Sequence, residues 1–389
     1  MIYNFDKIIR RENTNSVKYD LRQEYFGKED VLPLWVADMD FETPDFIRNA
    51  IIKRAEHPIY GYTVRKNSFF QSIIGWMDRR HNWKVHKNWI SFSPGIVPAL
   101  NMCVLSFTSP KDKILIQPPV YPPFFRAIKD HDRNLLENVL LYEGEHYRID
   151  FDDFEKKARE AKAFILCHPH NPVGRLWNHQ ELLRMVEICN KNGVLIFSDE
   201  IHSDLILFKH THIPLLTIPG ANEITVSMYA PSKTFNLAGL STSFLIIPDK
   251  DLKIKYDRTL DNLHMGLGNI FGNVALEAAY NEGEEWLTQV LHYIHHNITY
   301  LSRFLENRIP EIKPIIPEAT YLVWLDCRAL NMSDKELKNF IIQKAGLGLN
   351  HGAVFGKGGE GFQRINVATP RKLLKEALIK LEKAVKEWR

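Results

Sequence analysis

The middle of the chain alternates short, nearly unbroken apolar runs with longer amphipathic stretches. The runs are "KILIQ" (113–117), "AFILC" (163–167), "VLIFS" (194–198), "ITVSMY" (224–229) and "SFLIIP" (243–248). Strands that are apolar on both sides belong in a sheet covered on both faces. Such strands, spaced by helical stretches, predict an α/β architecture with a mostly parallel sheet. One intervening stretch, "NHQELLRMVEICNKNG", carries its own boundaries. Asn178 reads as the N-cap, Glu181 completes a capping pair and Gly193 is the C-terminal stop. Leu182, Leu183, Val186 and Ile188 supply its apolar face.

From about residue 269 the pattern lengthens into long helical segments. A strand-like "TYLVWLDC" follows, then a helix opened by the capping box "SDKE" (333–336) and stopped near Gly346, and a last helix "RKLLKEALIKLEKAVKEW". The expected division is a large domain over 45–280 and a smaller α+β domain built from 1–44 and 281–389.

Polar clusters stand at three strand ends. "AFILC" runs into "HPHNPVG", "VLIFS" into "DEIH", and "ITVSMY" into "APSKT". Ligands of open α/β sheets bind at the carboxyl ends of the strands, so the three clusters are expected to converge. Lys233 is the unusual member, a lysine at the end of a buried strand with no other charge beside it in "MYAPSKTFNLAGL". A dry site lowers the pKa of such an amine and makes it nucleophilic, which suits covalent attachment to an aldehyde cofactor. Pyridoxal phosphate then needs a carboxylate facing its ring nitrogen, for which Asp199 is suited, and a donor for its ring oxygen, for which Asn171 is suited. Its phosphate calls for backbone N–H groups at a helix start. "SPGIVPAL" (93–100) offers such a start, and Ser232 a hydroxyl.

Composition narrows the alternatives. The 389 residues are 45% hydrophobic and 25% charged with a net charge of +3, an ordinary globular balance that does not argue for nucleic acid. No apolar run approaches the ~20 residues of a membrane helix. Cys103, Cys167, Cys189 and Cys327 lack CxxC spacing, which disfavours a disulfide framework or a zinc site. The reading is a soluble, cytoplasmic protein.

"HNPVG", "SDEIHSDLIL" and "SKTFNLAGL" resemble the cofactor-binding segments of the fold-type I pyridoxal-phosphate enzymes, class I/II aminotransferase group. The resemblance extends over nearly the whole chain. It implies Lys233 as the lysine that carries the cofactor, Asp199 on the ring nitrogen and Asn171 on the ring hydroxyl. Tyr121 in "QPPVYPPF" is similar to the aromatic that stacks on the ring, and Gly95 and Ile96 would bind phosphate through the backbone. Tyr62 in "YGYT" resembles a tyrosine that reaches the phosphate from the other subunit of a homodimer with a shared active site. Arg364 in "FQRINVATP" matches the arginine that clamps the substrate α-carboxylate, a task suited to its bidentate fork.

Within that group, "LPLWVADMDFETP", "DEIHSDLIL" and "KHTHIPL" most resemble the MalY/PatB-type cystathionine β-lyases. That branch implies Ala37 at the substrate and a small sulfur-containing amino acid as substrate. His202 stands where aminotransferases often have a tyrosine directed at the ring hydroxyl. Ala230 and Ser241 stand where many relatives place a phosphate-binding serine and arginine. The leading expectation is a C–S β-lyase. The alternatives are an aminotransferase and a regulator that retains the fold.

Other motifs are expected to be structural. "KHTHIP" (209–214) reads as a surface loop, and His292, His295 and His296 as a polar helix face. Cys167 reads as a core residue, and "GKGGEGF" (356–362) as a turn before the strand of Arg364.

Overall fold

The computed structural model describes residues 3–388, so residues 1–2 and 389 of the expected small domain lie outside it. The main sheet has seven strands: β1 (Ile90–Ser93), β2 (Lys113–Ile116), β3 (Asn134–Glu137), β4 (Ala163–Cys167), β5 (Leu195–Asp199), β6 (Thr225–Tyr229) and β7 (Ser243–Ile246). Their spatial order is β1-β7-β6-β5-β4-β2-β3. Neighbours from β6 through β3 are parallel, and β7 is antiparallel to both β1 and β6.

The sheet is therefore mostly parallel, as the apolar runs predict, but the run at 243 departs from the pattern. Residues 230–242 hold the Lys233 turn in place of a crossover helix, and the chain returns beside β6 in the opposite direction. β1 and β3 escaped the periodicity because "ISFS" and "NLLE" mix polar and apolar positions.

Alternate residues of β4 enter two separate cores. Phe164 and Leu166 pack with Leu182, Met185, Val186 and Cys189 of the helix His179–Asn192. Ile165 and Cys167 face the cluster that holds Ala99, Leu100 and Cys103 of the helix Ile96–Phe107. Fully burying each large apolar side chain contributes about 1.5–3 kcal/mol, so two covered faces explain why these strands show no polar alternation. The helix His179–Asn192 has the predicted capping box between Asn178 and Glu181, and Gly193 ends it in the left-handed conformation at φ 64°.

A second, antiparallel sheet contains β8 (Lys313–Ile315), β9 (Leu322–Asp326), β10 (Asn350–His351) and β11 (Phe362–Asn366), in the order β8-β9-β11-β10. Near the N-terminus, Leu32–Pro33 pairs in parallel with Leu347–Gly348. Leu34 N–H then donates to Gly348 O at 2.8 Å, and Asn366 N–H to Leu34 O at 2.9 Å. These bonds lay the segment after Leu34 beside the end of β11. Among the described residues, no helix is long and apolar enough to cross a membrane.

Candidate active site

The carboxyl ends of β1, β2, β4, β5 and β6 open on one edge of the main sheet. The chain order reverses between β2 and β4, which is where an open sheet forms a crevice. A cavity of about 210 Å³ lies there. Its lining includes Gly95 and Ile96 after β1, Tyr121 after β2, Asn171 after β4, Asp199 and His202 at the end of β5, and Ser232 and Lys233 after β6. Ala37 closes it from the N-terminal segment.

Lys233 sits in a single helical turn, Pro231–Thr234. Its Nζ donates to Ala37 O at 2.7 Å. Burial pulls the amine down to about 8 against the pull of the Asp38 carboxylate; Arg364 adds to the lowering and Asp199 opposes it. Asp199 faces the same cavity with Oδ1 accepting the Ile201 N–H at 3.2 Å. Burial pushes its carboxyl up to about 7, with the Ile201 N–H and Lys233 opposing and Glu200 reinforcing. The two groups sit at the pKa values that burial imposes on an acid and a base, each moved toward neutral charge.

Asn171 accepts a hydrogen bond on Oδ1 from Arg364 Nη1 at 2.8 Å. Guanidinium only donates, so the amide must turn Oδ1 to the arginine, which leaves Nδ2 as its donor for the cavity. Arg364 itself is buried on β11, outside the cavity lining. It also donates through Nη2 to Trp35 O at 3.0 Å and to Asn350 Oδ1 at 2.6 Å, while its Nε has no partner. Burial lowers its pKa to about 10, with Tyr121 and Tyr321 opposing.

At the other end of the cavity, the helix Ile96–Phe107 begins at Gly95 with no side-chain cap. The N–H groups of its first turn have no intrahelical acceptors, and Pro98 at the third position has no N–H to satisfy. Bare N–H groups and the positive end of the helix dipole form an anion site. Ser232, Ser241 and Thr242 line the same cavity. Thr242 Oγ1 is buried without a partner, a hydroxyl that sequence reasoning passed over.

His202 is buried, with Nδ1 unpartnered. Burial pushes its pKa down to about 3, helped by the charges of Lys233 and Arg364, so its ring is neutral. The unpartnered His202 nitrogen and Thr242 hydroxyl, the free Asn171 amide and the uncapped helix are what a planar, anionic, hydrogen-bonding ligand such as pyridoxal phosphate would satisfy. The residues present fit that group.

Tyr62 is 96% exposed and lies away from the cavity within this chain. The expected surface loop at "KHTHIP" is corrected in part. Phe208 to Thr211 are exposed, but His212 is buried with Nε2 2.8 Å from Glu200 Oε2 and its ring 4.5 Å from that of His168. Glu200 is fully buried and needs that partner, which no local pattern announces. Among the described residues, no group of His, Cys, Asp or Glu could hold a metal ion with three ligands.

The electrostatics of Asp199 carry a stability prediction for the chain free of ligand. Its carboxyl keeps a proton in the folded state at pH values where the unfolded chain has lost it. The contribution of Asp199 to stability is therefore whole below about pH 4 and is lost as the pH rises through about 7. Without ligand, Asp199→Asn is expected to melt above the parent at pH 8 and beside it at pH 4. Thermal melts at both pH values check this; a gap that does not change with pH rejects it.

The Aminotransferase class I and II family model matches residues 29–381. Cystathionine beta-lyase PatB of Bacillus subtilis is 43% identical over 385 residues, covering 98% of this chain and 100% of that protein. Cystalysin from Treponema denticola, solved with its pyridoxal 5'-phosphate cofactor, superposes with a TM-score of 0.97 at 37% identity over 100% of both chains. The PLP-bound C-S lyase from Staphylococcus hominis superposes with a TM-score of 0.92 at 35% identity over 98% of both.

Proposed function

Because the chain belongs to the class I and II aminotransferase family, we propose that it is a pyridoxal-phosphate-dependent C–S β-lyase. The reaction would take a cysteine S-conjugate of the cystathionine type and water to pyruvate, ammonia and a thiol. The observation that carries this reading is the lining of one cavity by Lys233, Asp199 and Asn171, in a chain similar over its whole length to a cystathionine β-lyase.

In this reading Lys233 would hold the cofactor. Asp199 would serve its ring nitrogen, Asn171 its ring oxygen and Tyr121 its ring. The Gly95–Ile96 helix start, Ser232 and Thr242 would hold the phosphate. When bound, pyridoxal phosphate supplies an acceptor for the electron pair left as the substrate Cα–H bond breaks.

The chain's own residues manage the proton. Lys233, with its amine at about 8, is half neutral near neutral-to-alkaline pH and can take the proton from Cα. Neutral His202 does not compete with it for charge. Arg364, bonded to Asn171, would receive the substrate carboxylate. Residues 45–280 would form the cofactor domain, and 1–44 with 281–389 the smaller one. A second copy of the chain would bring its exposed Tyr62 to the phosphate, making a homodimer with shared sites. Four free cysteines, all buried, suit the cytoplasm.

Incubation with L-cystathionine and no 2-oxoacid tests the activity. Pyruvate, ammonia and thiol are expected in equal amounts. Amino-group transfer that appears only when a 2-oxoacid is added would make the protein an aminotransferase.

A further inference from the structure

Asp199 is the conspicuous carboxylate of the cavity, yet a second one, Asp38, follows directly on the residue that Lys233 Nζ bonds. The segment Trp35–Asp40 forms a strap that meets the cavity at Ala37 and is bonded to the lysine turn at two places. Lys233 Nζ meets Ala37 O at 2.7 Å. Three residues on, Asn236 in the left-handed conformation at φ 61° uses both ends of its amide on Met39. Oδ1 accepts the Met39 N–H at 2.9 Å, and Nδ2 donates to Met39 O at 2.9 Å. β11 grips the strap from the other side, with Asn366 Nδ2 donating to Val36 O at 2.7 Å and Asp38 O at 2.6 Å.

Two cations converge on the strap from the N-terminal residues. Arg11 forks onto Asp38 at 2.6 and 3.1 Å and reaches Asp40 Oδ1 at 2.7 Å. Lys18, with a fully buried side chain, lies 2.8 Å from Asp40 and 3.4 Å from Asp38. Isolated charges would not stay ionised here, but two cations on two carboxylates form a closed, hydrogen-bonded set. Burial pushes the Asp38 carboxyl up, and the Arg11 hydrogen bond with the Lys18, Arg11 and Lys233 charges holds it below the usual range.

We propose that Asp38, fixed as a carboxylate by Arg11 and Lys18, is the positioning residue that supplies the counter-charge to the Lys233 amine. A base that takes a proton from Cα becomes an ammonium in a dry cavity. With Asp199 engaged by a ring nitrogen, Asp38 is the anion left to stabilise it. The other groups around the amine are Asp199 at the end of β5, neutral His202 just after it, Arg364 from β11, Tyr121 in the cavity lining, and Tyr321, whose hydroxyl shares Ala37 O with Lys233. Among them Asp199 alone joins Asp38 in opposing the lowering of the amine.

The inference rests on Lys233 being the reacting amine, and its test reads that amine and not turnover. The full-length chain freed of cofactor is labelled with trace acetic anhydride across pH, and acetylation of Lys233 is followed by peptide mass spectrometry. The midpoint reports the charge on the amine, and the limiting rate at high pH reports access. Asp38→Asn should lower the midpoint by about one pH unit. Asp38→Glu should restore part of that shift. Mere loosening of the strap would hydrate the amine and raise the midpoint, the opposite sign. An unchanged or raised midpoint in Asp38→Asn therefore overturns the proposal. If Asp38→Asn does not fold, Arg11→Gln, which leaves the carboxylate less compensated, should raise the midpoint with the limiting rate unchanged. No rise, or a rise with faster limiting labelling, overturns it equally.

Discussion

Lys233→Ala is expected to lose covalent attachment of the cofactor and to lower kcat/KM by on the order of 10³–10⁴-fold or more. Two losses combine in that figure. The first would be the bond that holds the cofactor, and the second, among the described residues lining the cavity, the only amine that could move the proton at Cα. The fold should survive. Ala37 O, which takes Lys233 Nζ, also accepts the Tyr321 hydroxyl at 3.0 Å, so it keeps a partner when the lysine is gone. Burial has already destabilised this amine as a cation, so its loss removes a cost from the folded state. Borohydride reduction followed by peptide mass spectrometry should find the cofactor on Lys233 in the parent and on no lysine in the variant. The cofactor recovered on a different lysine, or turnover near the parental rate, would sink the assignment.

Arg364→Ala should be the second most damaging change, and it should act in two ways. Asn171 Oδ1, Trp35 O and Asn350 Oδ1 would all lose a charged donor inside the protein. Leaving buried acceptors unpaired costs about 1–3 kcal/mol each, so the melting temperature should fall clearly. kcat/KM should fall by on the order of a hundredfold or more if the guanidinium also holds the substrate carboxylate. The family resemblance gives this arginine a role at the substrate carboxylate and none at the cofactor. Its bond to Asn171 changes that expectation, because the amide that faces the cavity is oriented by it. Weaker cofactor retention should therefore accompany the kinetic loss, and Arg364→Lys should recover part of both, since an ammonium cannot reproduce the fork. Comparing an amino-acid substrate with its carboxamide isolates the clamp. The parent should strongly prefer the acid, and Arg364→Ala should not. Equal losses on both substrates would place the carboxylate site elsewhere.

Much of the cavity is legible in the sequence, for a local reason. Asn171, Asp199 and Lys233 each stand within a few residues of the end of an apolar run, and parallel strands align their carboxyl ends. The register Cys167 to Asp199 to Met228 brings those ends level. The caps at Asn178 and Ser333 were equally readable, since a capping box closes within one turn. His212 departs from the surface-loop expectation because its partner, Glu200, is buried only by the covering of the sheet, which no local spacing encodes.

What the sequence by itself determined is this set of strand-end chemistries and the helices and strands that carry them, all encoded within spans of a few residues. The tertiary structure alone decided which distant groups meet them. Lys233 finds Ala37 across 196 residues, and Arg364 finds Asn171 across 193 and Trp35 across 329. Nor did any local pattern single out Arg11 and Lys18 as the cations that hold Asp38. Periodicity and capping express contacts between neighbours along the chain. The entropy of closing a long loop rises only slowly with its length, so the choice of partner falls to the packing of the whole core, which leaves no spacing to read.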